Sequence, residues 1–142
     1  TNLQAALGLA QLEQIEAFIA IKERNYELYE QAFSGVEGLR LLPFREGTRP
    51  NKWFYALFCK GYAIDRDDMI RYLAGHHIQS RPIWGLISDQ KPYEGSRTYR
   101  IEKARYYWQH VVNIPCSTNL TTEEAAVVCD TILAVSDPEA GN

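Results

Sequence analysis

The chain has 142 residues, 46% of them hydrophobic and 23% charged, with 15 Lys and Arg against 18 Asp and Glu for a net charge of −3. This is the composition of one ordinary globular domain that buries roughly two thirds of its unfolded surface. It argues against nucleic-acid binding, which needs a basic face, and no apolar run approaches the ~20 residues of a membrane span.

Thr1 and Gln4 stand at capping-box spacing ahead of an apolar run. Leu3, Ala6, Leu7, Ala10, Ile15, Phe18, Ile19, Tyr26, Tyr29 and Phe33 keep rough helical spacing, and Ser34-Gly35 supplies a stop. The spacing predicts one linking helix within residues 1–35, running from about 3 to 33. At 1.5 Å per residue it would be on the order of 45 Å long, enough to bridge two bodies. The alternative, a coiled coil, needs more regular heptads than these.

Residues 39–42 read as a short strand closed by Pro43, and 44–51 as a polar turn region. "WFYALF", 53–58, is apolar on both faces, as a covered central strand is. Asp65 is an N-cap for a helix carrying Met69, Ile70 and Leu73 and ending at Gly75. Residues 77–80 read as a strand stopped by Pro82, and 82–95 as irregular. A helix over about 97–110 follows, then "VVNIP" runs into a loop at Pro115. Thr121 and Glu124 form a second capping box for a helix ending near 135, and 137–142 read as a disordered tail. The expected class is α/β (α+β): a long N-terminal helix, then a domain over 36–136 with a small, mostly antiparallel three-stranded sheet and helices on one face.

Chemistry-bearing constellations are scarce. His76 and His77 are adjacent and diverge on any strand, and His110 is distant, so no metal site is expected. There is no phosphate loop and no nucleophile elbow. Cys116 lacks a spaced His/Asp set and reads as a small apolar residue, so no catalytic residue is assigned. Cys59, Cys116 and Cys129, an odd number without ligand spacing, suit free thiols in a cytoplasmic setting.

The unusual stretch is "SRPIWGLISDQKPY", residues 80–93. Arg81 could fork onto a carboxylate or phosphate, while Trp84 and Tyr93 could stack on a ring or sugar face. By composition alone the bland reading is favoured, with Arg81 in a surface ion pair and Trp84 plugging the core.

Three motifs in order, "TNLQAALGLAQLEQ", "HIQSRPIWGLISDQKPY" and "NIPCSTNLTTEE", resemble the C-terminal hallmarks of the DegT/DnrJ/EryC1/StrS sugar aminotransferases over nearly all of the chain. The "SRPIW" form looks most like the subgroup acting on nucleotide-linked 4-keto amino sugars. The resemblance implies a fold-type I, pyridoxal-phosphate enzyme that moves an amino group from glutamate or glutamine to a nucleotide-linked keto sugar, for surface-polysaccharide or amino-sugar biosynthesis. It also implies that the Schiff-base Lys lies upstream of residue 1, since Lys22, Lys52, Lys60, Lys91 and Lys103 are outside the family's Lys motif.

The chain is therefore expected to be the C-terminal small domain with its linking helix. Alone it would hold no cofactor and perform no transamination, and it would pair as a homodimer through the long helix. Arg81, Trp84 and Tyr93 would contact substrate, and no nucleic acid or membrane would be a partner. A stand-alone interaction or ligand-binding module derived from such an enzyme is the alternative.

Overall fold

Four short strands, β1 (Arg40–Leu41), β2 (Tyr55–Phe58), β3 (Arg81–Pro82) and β4 (Val111–Ile114), form one antiparallel sheet in the order β1-β2-β4-β3. They are seen in a computed structural model that describes residues 1–135. The register puts Leu41, Leu57 and Val112 side by side, with Tyr55 opposite Ile114. Those side chains face a core closed by α2 (Ile15–Phe33), α3 (Arg66–Gly75) and α5 (Thr122–Ala134), which contribute Tyr29, Phe33, Met69, Leu73 and Ile132. The other face of the sheet is lapped by α4 (Glu102–His110), whose Tyr106, Tyr107 and His110 rings lie 5.8, 6.1 and 5.9 Å from Phe58. Covered on both sides, all four residues of β4 are buried.

The local signals act where expected. Thr1 with Gln4 and Thr121 with Glu124 form complete capping boxes, Asp65 accepts from the Asp68 N–H, and Gly35 takes φ +76° just beyond α2. Each such cap stabilises its helix by about 0.5–2 kcal/mol.

The structure corrects five boundaries. The single helix over 3–33 is two helices, α1 (Asn2–Leu12) and α2, parted at Glu13-Gln14, where the Gln14 N–H bonds the Gln11 carbonyl in a tightened turn. No Gly or Pro marks that break, so the apolar periodicity runs straight through it. The sheet has four strands because "VVNI" pairs with β2 instead of leading into a loop. Residues 77–80 are not a strand: His77 adopts φ +61°, and the Ile78 N–H turns back to the Leu73 carbonyl at 2.9 Å. Strand β2 starts at Tyr55, after Lys52 at φ +47° and the Trp53 N–H bond to Asn51 Oδ1. Helix α4 starts at Glu102 because Arg100, at φ +52°, cannot belong to a helix. The tail expectation, 137–142, lies outside the described residues. Among the described residues, no helix is long and apolar enough to cross a membrane.

Candidate functional site

Strands β3 and β4 pair at only two positions, Arg81 with Asn113 and Pro82 with Val112. Beyond them residues 77–80 and 114–117 are unpaired with each other, and they line a cleft of about 880 Å³ walled on one side by Val127 and Val128 of α5. Most of its side chains are apolar. The polar exceptions are His77, Gln79, Ser80, Arg81, Asn113, Ser117 and Glu124.

Arg81 is exposed, and its guanidinium has no ion-pair partner among the described residues. The surface ion pair considered from sequence is thus not formed among the described residues. Trp84 is 67% exposed rather than a core plug. It meets Phe54 edge-on at 4.9 Å and stands 6.0 Å from Trp53, which makes an open aromatic wall. Arg81, Trp84 and Phe54 all border the cleft.

Tyr93 is carried elsewhere. Short 3-10 turns at Ile87–Asp89 and Lys91–Tyr93 fold the loop back, and Asp89 is gripped by both guanidinium nitrogens of Arg105 on α4 at 2.9 Å each. Tyr93 then lines a second, smaller cleft of about 510 Å³ with Ile87, Arg97 and Tyr99.

The cleft rim is fastened to the core by Lys22 of α2. Its ammonium donates to the Trp53 carbonyl at 3.1 Å and to the Cys116 carbonyl, while Tyr55 Oη donates to the Lys22 carbonyl at 2.8 Å. Charged hydrogen bonds of this kind contribute about 1.5–3 kcal/mol each. Cys116 borders the cleft and is half-buried. Burial pushes the thiols of Cys59 and Cys129 up to about 11, so both are neutral packing groups near neutral pH.

His76 packs its ring 4.4 Å from Tyr72, whereas His77 borders the cleft. Among the described residues, no group of three His, Cys, Asp or Glu could hold a metal ion. The cleft lining also contains no Lys, and the nearby Lys22 ammonium is committed to two carbonyls. A cofactor anchored through a Lys does not fit these residues by themselves.

Sequence reasoning missed Asn113, Phe54 and Trp53. The signal for Asn113 was present: it is the one polar residue in an apolar run, at a position that proves 9% exposed.

This four-stranded antiparallel sheet with its helices is a fold shared with solved structures. The chain superposes on a putative sugar aminotransferase, Spr1654 from Streptococcus pneumoniae in its PLP-form, with a TM-score of 0.85 at 22% identity, covering 96% of this chain and 36% of that one. It superposes on Helicobacter pylori PseC, an aminotransferase involved in the biosynthesis of pseudoaminic acid, with a TM-score of 0.83 at 18% identity, covering 94% and 36%. The chain belongs to the DegT/DnrJ/EryC1/StrS aminotransferase family, whose model matches residues 1–133.

Among curated relatives, it is 32% identical to the GDP-perosamine synthase of Caulobacter vibrioides over 139 residues, 96% of this chain and 36% of that protein. It is 28% identical to the dTDP-4-amino-4,6-dideoxy-D-glucose transaminase of Escherichia coli over 128 residues, 87% and 34%. The chain thus spans about a third of the length of these relatives.

Proposed function

We propose that this chain forms the substrate-closing part of a pyridoxal-phosphate-dependent aminotransferase that moves an amino group from glutamate or glutamine to a nucleotide-linked keto sugar, in surface-polysaccharide or amino-sugar biosynthesis. The family membership and the GDP- and dTDP-linked amino sugars in the relatives' names support the class of reaction. The observation that carries the role of this chain is the Arg81 guanidinium, without an ion-pair partner among the described residues, on the same cleft as the open Trp84–Phe54 wall. A planar fork of this kind matches a carboxylate or a phosphate. Arg81 would hold the sugar nucleotide's phosphate or the donor's carboxylate. Trp84 and Phe54 would cover the sugar and exclude water, and Tyr93 would have to meet substrate from the second cleft.

Pyridoxal phosphate, when bound, supplies the electron sink for amino transfer. The Lys that anchors it would come from outside these 142 residues, so the chain alone would hold no cofactor. In the whole protein, cytoplasmic and homodimeric, the exposed leucines of α1 would lie at a contact that includes residues 3–19.

The test uses the full-length protein with both substrates varied. Arg81→Ala should lower kcat/KM by roughly 10- to 150-fold, the loss of one charge-assisted bond. Arg81→Lys should rescue poorly, because an ammonium lacks the fork. Near-normal kcat/KM for sugar and donor in both variants would remove Arg81 from the site.

A further inference from the structure

Strand β4 is an apolar ribbon with one interruption. Val111 and Val112 are fully buried and Ile114 is 2% exposed, yet the residue between them, itself only 9% exposed, is the carboxamide-bearing Asn113. Buried amides are normally paired, because each carries two donor hydrogens and an acceptor oxygen taken out of water. The Asn113 amide has no hydrogen-bond partner among the described residues. Nor is it sealed: Ser80 Oγ is both shut off from solvent and unpaired, whereas the Asn113 amide stays open and the residue lines the cleft.

Its neighbours say what it faces. Asn113 lies directly between Arg81 on β3 and Ala56 on β2, so the three side chains rise from one face of the sheet. Directly paired residues have Cβ atoms about 4.5–5.5 Å apart. On the β2 side Ala56, the neighbour of Asn113, offers a methyl with no hydrogen-bonding capacity, and Asn113 borders the cleft. An uncharged donor–acceptor group is therefore paired across the sheet with Arg81, and both residues border the cleft.

We propose that Asn113 is a specificity-determining residue of this cleft, whose amide binds a sugar hydroxyl adjacent to the anionic group that Arg81 holds. This rests on the reading of Arg81 as a substrate contact. A bare phosphate engages the guanidinium alone, while a sugar phosphate engages both groups. The pairing selects ligands whose anion is esterified to a second sugar beyond the nucleoside, with a hydroxyl of that second sugar within a few ångströms of the anion.

The test is calorimetric titration of the full-length protein with GDP-mannose and dTDP-glucose, sugar nucleotides without a keto group, each compared with GDP and dTDP. Asn113→Ala should weaken binding of the bound sugar nucleotide about 3- to 10-fold, as expected for one neutral hydrogen bond, and leave the matching diphosphate within about 2-fold. Its melting temperature should equal or exceed that of the wild type, since no intramolecular bond is lost. Arg81→Ala should weaken both ligands. If Asn113→Ala affects neither ligand, or both equally with a lower melting temperature, the amide is structural and the inference is overturned. A wild type that binds neither sugar nucleotide also overturns it. If Arg81→Ala leaves both ligands unaffected, the underlying Arg81 reading fails instead, a result that Asn113→Ala alone cannot produce.

Discussion

Arg105 on α4 places two guanidinium nitrogens on the two carboxylate oxygens of Asp89, each at 2.9 Å, and so ties the 81–101 loop to the helix that follows it. The hydrogen bonds and charge of Arg105 hold the Asp89 carboxyl below its ordinary 3.8. A carboxyl whose folded pKa is depressed stabilises the fold fully above its unfolded pKa and loses that contribution as pH falls through the folded value. Asp89→Asn should therefore lower the urea midpoint by a constant, modest amount from pH 7 to pH 5. The difference from wild type should shrink once the pH drops below 3.8 and vanish under more acid conditions. A difference that persists unchanged to about pH 2 would show that the carboxylate's charge plays no part.

Gly38 and Gly61 form a paired test of close approach. Both are left-handed, at φ +81° and +84°. A Cβ on Gly38 would lie 2.3 Å from the Tyr62 nitrogen, whereas one on Gly61 would meet open space. Gly61→Ala should cost about 1–2 kcal/mol, the conformational penalty alone. Gly38→Ala should cost about 2–5 kcal/mol, because the backbone must also move. Equal urea midpoints for the two variants would refute the close approach.

Helix α1 contributes no buried residue, and Leu3, Leu7 and Leu12 are 81%, 64% and 64% exposed. Apolar stripes of this extent usually find a partner. Sedimentation should show a dimer or larger species that Leu7→Glu shifts toward monomer. A monomeric wild type at high concentration, or a dimer indifferent to Leu7→Glu, would rule out the contact at residues 3–19.

Much of this molecule is written in short-range code. The capping boxes at Thr1 and Thr121, the Asp65 cap and the stop at Gly35 were legible because each joins residues three or four apart in sequence, where local geometry alone decides the bond. The family was legible for a related reason, since three motifs in fixed order need no coordinates. The tertiary structure alone decided that "VVNI" is a central strand, that Arg81 sits opposite Asn113, and that Tyr93 leaves the cleft Arg81 borders. An apolar run reads alike as strand or buried loop, and the register of a strand pair is set by packing across the sheet rather than by either strand's own pattern. The path of residues 82–101 depended likewise on left-handed Arg100 and on the Asp89–Arg105 grip, neither of which has a periodic signature.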